Sequence, residues 1–164
     1  MVSAKLVHQM EDHWEAITAR FLRRLRQHSG LPHISRMPES ELTETCRKLL
    51  KRLGHWLISC SEEEIASLYE KVGHDRYVQG IPLSESIRAV QLLKEACLDY
   101  IRDEAFVQTS VDLYAEEELE LQLGRFFDLL IFYLARGYER ACGMVHEEQA
   151  GRSGNGRFLC VILM

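Results

Sequence analysis

A rigid corner between two amphipathic helices constrains the fold of this chain more than any other stretch. Gly80 follows a helical pattern, and a glycine in this place adopts the left-handed conformation that ends a helix. Pro82 cannot rejoin that helix, and Ser84 offers its hydroxyl as a cap for the next one. The sequence predicts two helices joined by a tight turn, with Gly73, Gly80, Pro82 and Ser84 as its structural residues.

The rest of the chain also has helical periodicity. Apolar residues recur three or four positions apart in five segments, and none reads convincingly as a strand. The predicted helices are about 4–27, 38–58, 61–80, 84–102 and 112–149. We therefore expect an all-α bundle of five or six helices with a long C-terminal helix. It forms one domain over residues 1–149, followed by a linker-like tail over 150–164.

The charge of the chain argues against nucleic-acid binding. Residues 1–60 carry a net charge of +4 and residues 61–164 one of −9, which gives −5 overall. A net acidic protein has no general attraction for phosphate backbones. The four arginines between Arg20 and Arg26 interleave with apolar residues on a predicted helix. We interpret them as a solvated face and expect no nucleic-acid partner.

Neither a membrane segment nor a cysteine framework is expected. The longest strongly apolar run, 129–135, is far shorter than the roughly 20 residues that cross a bilayer. The first residues lack the apolar core of a signal peptide. Five widely spaced cysteines form no Cys-x-x-Cys pair, which argues against a disulfide framework and the common zinc spacings. We expect a cytoplasmic protein with Cys46 and Cys97 in its core and no bound metal.

No catalytic motif is present. The chain has no Gly-x-Ser-x-Gly elbow, no phosphate-binding loop and no His-Glu-x-x-His pair. We expect a protein that is not an enzyme, with no catalytic residues and no cofactor.

Polar residues bunch just before the corner: His74, Asp75, Arg76 and Gln79. One interpretation makes them a ligand or partner contact, with the histidine titrating near neutral pH. The other, which we favour, is structural. In it Arg76 pairs with Asp75 or another nearby carboxylate and braces the turn.

The long C-terminal helix is apolar around nearly its whole circumference over 126–134. Such a segment lies at the centre of a fold or is shared with a partner subunit. The candidates for this shared or central packing are Trp14, Phe21, Phe126, Leu130, Tyr133 and Tyr138.

The corner carries a motif that resembles a known family. Its elements are Gly73, Arg76, Gly80, Ile81, Pro82 and Leu83, then Arg88 and Leu92-Leu93, with Arg125-Phe126-Phe127-Asp128 and Arg136-Gly137-Tyr138-Glu139 in the closing helix. This pattern is similar to the N-terminal sensory domain of bacterial stressosome proteins, the RsbT co-antagonists. Similar domains stand at the head of some sensor kinases.

The resemblance implies an α-helical, often globin-like, dimeric domain that generally binds no haem. Such a domain passes a signal through its last helix to an output domain, and only a short tail follows Gln149 here. The chain is thus expected either to work in trans or to be a fragment. We expect a homodimer that modulates a signalling partner without chemistry of its own. The alternative is a haem or small-molecule sensor, with His55 or His74 as the proximal haem ligand.

Overall fold

The computed structural model describes residues 4–104 and 108–152, leaving aside the side chains of 144–152. Its elements are α1 (Ala4–Asp12), α2 (Trp14–Gln27), a 3₁₀ turn (Ile34–Arg36), α3 (Glu39–Leu50), a π-turn (His55–Ser59), α4 (Glu62–Val78), α5 (Leu83–Glu104) and α6 (Ser110–Arg152). The described residues contain no strand, and the prediction of an all-α bundle with a long C-terminal helix is confirmed. No helix among them is both long and apolar enough to cross a membrane. The tail was predicted over 150–164; α6 continues through 150–152, and residues 153–164 lie outside the described part of the chain.

The crossing of α4 and α6 is the most extensive helix contact in the bundle. Gly73 of α4 lies against the backbone of Leu134, and Gly137 of α6 lies against the backbone of Glu70. A Cβ atom at either glycine would overlap that backbone, so the two helices meet backbone to backbone. Gly73 therefore acts inside α4, at the crossing, instead of at the corner around Gly80 where the motif placed it.

Polar side chains hold the same crossing on its outer side. The Tyr133 hydroxyl donates a hydrogen bond of 2.5 Å to Oε1 of Glu62. The Glu70 carboxylate accepts hydrogen bonds from Arg136 and, at 3.0 Å, from Arg140. Because each pair joins α4 to α6, the contact resists both sliding and rotation.

The remaining helices complete one core, in which α2 packs on α5 and α5 packs on α6. The largest fully buried side chains include Met10, Ile17, Leu25, Leu50, Leu53, Tyr100, Ile101, Leu119, Leu123 and Phe127. Cys46 and Cys97 are also buried, as expected. Burial raises the pKa of the Cys46 thiol to about 12, so this group is an apolar filler and not a reactive thiolate.

The predicted single helix over 4–27 is wrong. In the structure α1 ends at Asp12, and α2 begins at Trp14. His13, between the two, departs from helical geometry with φ −99° and ψ 25°, and its Nδ1 atom lies 2.5 Å from the Tyr100 hydroxyl. Neither glycine nor proline marks this break. A contact with a residue 87 positions away accompanies it, and no local pattern reveals such a contact.

The predicted second helix also ends early. α3 stops at Leu50, and the segment His55–Ser59 forms a π-turn. In this turn the Cys60 N–H donates to the His55 carbonyl at 2.8 Å. Apolar spacing continues through the turn, and for this reason the sequence predicted one unbroken helix.

Ion pairs account for much of the basic cluster on α2. Arg20 lies 2.6 Å from Asp103, and Arg24 lies 2.9 Å from Glu95. Both partners belong to α5, so these pairs flank the packed α2–α5 contact. As partly exposed pairs they contribute at most about 1 kcal/mol each.

The glycine crossing yields a stability prediction. Gly73→Ala and Gly137→Ala should each lower the free energy of unfolding by at least about 2 kcal/mol, because the opposing atoms are backbone and cannot move aside. This corresponds to a fall in Tm of roughly 4–8 °C. Gly124, in the same helix, has no atom near its Cβ position. Gly124→Ala should therefore raise stability by up to about 1 kcal/mol. Thermal unfolding of the three variants checks this, and equal effects at all three sites would contradict the close crossing.

Candidate functional site

The corner between α4 and α5 is fixed by backbone hydrogen bonds. Gly80 has φ 72°, which favours glycine. The Ile81 N–H donates to the Arg76 carbonyl and the Gly80 N–H to the Tyr77 carbonyl, both at 3.0 Å. These two bonds form a Schellman motif. From α6, the Tyr138 hydroxyl donates to the Ile81 carbonyl at 2.9 Å, so the corner is tied to the central crossing.

The helix after the corner begins one residue earlier than predicted, at Leu83. The Ser86 N–H donates to the Pro82 carbonyl at 3.1 Å and closes the first turn. Ser84 thus lies inside α5 instead of capping it. The carbonyl of Pro82 accepts this first helical bond.

Glu85 anchors the loop before α3 to the corner. Its buried carboxylate accepts hydrogen bonds from the backbone N–H groups of His33 and Ile34, at 2.9 and 3.0 Å, and lies 2.7 Å from Nδ1 of His33. Burial pushes the pKa of this carboxyl up, but the hydrogen bonds outweigh it and the pKa lies below its ordinary value. Sequence reasoning missed this anchor, because a glutamate in a first helical turn is typical of an exposed partner of the helix dipole.

Arg76 braces the end of α4 against the start of α3. The side chain is buried, and its Nη1 donates to Oε1 of Gln79 at 2.7 Å. Glu41 lies 3.5 Å from the same nitrogen and accepts from Nε2 of Gln79 at 2.9 Å. Burial lowers the pKa of Arg76, and the charge of Glu41 opposes that change. In the structural interpretation that we favour, Glu41 is thus the carboxylate that pairs with Arg76.

The side chains of the four polar residues in the predicted contact do not all face one site. His74 and Asp75 are both more than half exposed, and Nδ1 of His74 lies 3.6 Å from Oδ1 of Asp75. Arg76 and Gln79 instead turn toward α3. Asp75, Arg76 and Gln79 help to form the wall of a cavity, and His74 does not line it.

A pocket lies between α3 and α4, and we call it the α3–α4 pocket. It has an inner cavity of about 70 Å³ and an outer groove of about 340 Å³. The residues that line both parts are Thr45, Leu49, Tyr69, Val72 and Arg76. The inner part extends to apolar side chains of α2, α5 and α6. The pocket therefore connects the core of the bundle with its surface.

The pocket has both charged and aromatic groups in its wall. Arg76 supplies a cation at the boundary of the two parts, and Trp56 lines the outer groove with an indole Nε1 that is buried without a hydrogen-bond partner. Trp56 stacks on Phe126 of α6, with ring centroids 5.9 Å apart. Neither His55 nor His74 lines this pocket.

The packing candidates divide by burial. Phe21, Phe126, Leu130 and Tyr133 lie in the core of the single chain, whereas Trp14 and Tyr138 are partly buried. Among the α6 side chains up to residue 143, the large apolar ones that remain exposed are others, namely Val111, Leu113, Tyr114, Leu121 and Phe132. Because the four core side chains are buried within the single chain, we expect a surface shared with a second subunit to be formed by these five exposed residues.

The Glu85 anchor predicts a pH dependence. Because its pKa is lowered by folding, the anchor stabilises the protein above the ordinary carboxyl pKa of about 4.5, and this contribution is lost as the pH falls through the lower folded value. Glu85→Gln should cost about 2 kcal/mol at pH 7, with a gap to wild type that closes in acid. Glu117→Gln, at an exposed position, should change stability little at any pH. Denaturant unfolding at several pH values measures both, and a gap that does not vary with pH would rule out the charged anchor.

Comparison with known proteins identifies the domain. The family model of the RsbT co-antagonist protein rsbRD N-terminal domain matches residues 15–153. The match includes the corner, the α3–α4 pocket and the described part of α6 up to Arg152. Neither the curated proteins nor the solved structures give a match. Since the family model covers most of the sequence, the chain belongs to the family of rsbRD-type N-terminal domains of RsbT co-antagonists.

Proposed function

We propose that this chain is a non-enzymatic bacterial signalling domain that works in the cytosol. In this proposal it homodimerises and modulates a stress-response or two-component partner. Family membership supports a stressosome-related signalling role. The pocket supports a binding function, because an apolar inner cavity opens beside the buried Arg76 side chain.

One observation carries the dimer: an exposed apolar stripe on α6. Tyr114, Leu121 and Phe132 are 70%, 56% and 56% exposed. At 100° per residue their positions fall within about 20° of one another around the helix. An aligned apolar stripe on a long helix is typical of a surface that packs against another helix. A second copy of the same helix can cover this stripe, because a two-fold axis places the stripe of one subunit against the same stripe of the other.

The long helix also offers a route for the signal. Its middle part is locked to α4 through Gly137 and through the bond from Tyr133 to Glu62. A shift of α4 relative to its neighbours therefore moves α6, and with it any helix that pairs with α6. Small helix shifts of this kind are an established way for bundles to transmit a change.

The pocket favours a second candidate function, that of a small-molecule sensor. An apolar inner cavity beside the Arg76 guanidinium suits a short aliphatic acid, whose carboxylate pairs with the arginine in place of Glu41. Such a ligand bridges α3 and α4 directly. This candidate needs no haem.

The dimer is tested with a charge on the stripe. We expect wild type to sediment as a dimer at low micromolar concentration and Leu121→Glu as a monomer, because the interface would have to desolvate a charged carboxylate in place of an apolar side chain. Val78→Glu is the matched control, since this valine is 69% exposed but lies on α4. It should remain a dimer. A wild-type monomer, or a dimer that survives Leu121→Glu, would refute the α6 interface.

The small-molecule candidate is tested by filling the cavity. Hexanoate should raise the Tm of wild type more than hexanol does, because only the acid pairs with Arg76. Ala89 lines the inner cavity, and Ala89→Leu should remove the hexanoate effect by adding three carbons there. Ala19→Leu changes an exposed alanine and should leave the effect intact. No shift with hexanoate in wild type would count against this candidate alone.

A further inference from the structure

Three side chains with metal-binding atoms meet beside the π-turn. His55, Cys60 and Glu64 each contribute one ligand atom, and these atoms lie within 4.8 Å of one another. Nε2 of His55 is 2.8 Å from Oε1 of Glu64, and Sγ of Cys60 is 3.3 Å from its Oε2. Around a tetrahedral zinc ion, ligand atoms are separated by roughly 3.3–3.8 Å. The cluster needs only small side-chain rotations to reach that spacing.

Two local structures bring the three residues together. The π-turn, closed by the bond from the Cys60 N–H to the His55 carbonyl, places residues five apart on adjacent positions. Ser61 then caps α4 by accepting a hydrogen bond from the Glu64 N–H at 3.2 Å. This cap fixes the backbone of Glu64 one helical turn after Cys60. The backbone positions of the three residues are thus held by the π-turn and by the Ser61 cap, independently of any bond among their side chains.

We propose that His55, Cys60 and Glu64 form a binding site for Zn²⁺ or a similar borderline divalent ion. Imidazole, thiolate and carboxylate are the ligands of zinc in proteins, whereas Mg²⁺ and Ca²⁺ prefer oxygen ligands alone. Three protein ligands leave a fourth position for water, which the partial exposure of the cluster permits. The sequence predicted no metal, because the spacing His-x₄-Cys-x₃-Glu depends on the π-turn and matches no common zinc pattern.

The charges around the cluster are compatible with a cation. Arg52 lies near enough to lower the pKa values of both Cys60 and Glu64, and its guanidinium stands 5.6 Å over the ring of Trp56. A thiolate and a carboxylate outweigh this single positive charge. Without metal, burial and Glu64 raise the pKa of the thiol to about 11, so metal binding displaces the thiol proton to solvent.

Cobalt substitution tests the site on the whole chain under reducing conditions. We expect added Co²⁺ to give the near-ultraviolet charge-transfer absorption of a cobalt–thiolate bond, with stoichiometric Zn²⁺ abolishing it. Trp56 is a second reporter, since its ring lies 5.4 Å from that of His55, and bound Co²⁺ should quench its fluorescence. Absence of the thiolate band in wild type would overturn the proposal without any variant.

Matched variants then assign the ligands. Cys60→Ser should abolish the thiolate band, and Cys142→Ser should keep it, because Cys142 lies on α6 away from the cluster. His55→Gln should weaken Zn²⁺ binding at least about tenfold in a chelator competition, and His74→Gln should leave it unchanged. A band that survives Cys60→Ser, or equal losses in the two histidine variants, would mark adventitious surface binding and refute the site.

Discussion

The close approach of α4 and α6 is the constraint on which the rest of the structure depends. It requires glycine on both helices, Gly73 on one and Gly137 on the other. With the backbones in contact, Phe126 reaches Trp56 and Tyr69, and Tyr138 reaches the corner. Each of these contacts links α6 to a different part of the chain. The crossing thereby joins α4 and α6 in one rigid unit, and the π-turn and the corner are attached to it through these contacts.

The contacts of α3 differ from those at the crossing of α4 and α6. α3 packs mainly against α2 and is separated from α4 by the pocket. It is held at its start by the network of Arg76, Gln79 and Glu41, in which two of the three members are accessible to water. Such a network resists small displacements and yields to a competing ligand. In this account a signal is received at α3 and the π-turn and is passed on by the rigid pair of α4 and α6.

The sequence predicted what local chemistry determines. The helix-ending Gly80 and the burial of Cys46 follow from propensity and periodicity, and the structure has both. It did not predict what distant residues determine. The break at His13 accompanies a bond to Tyr100, and the anchoring role of Glu85 depends on a loop about fifty residues earlier. The pocket and the three-residue cluster are likewise products of tertiary packing.

In this account the bundle divides into a rigid crossing of α4 and α6 and a less rigid α3. Native-state hydrogen exchange, resolved by residue, tests this most directly, because it measures the opening free energy of each helix. The account predicts that the slowest amides lie where α4 and α6 cross, around Gly73 and Gly137. It also predicts that amides of α3 and of the π-turn exchange faster, through local opening. If α3 were as protected as the crossing, α3 would belong to the same rigid unit, and the proposed receiving side would not exist.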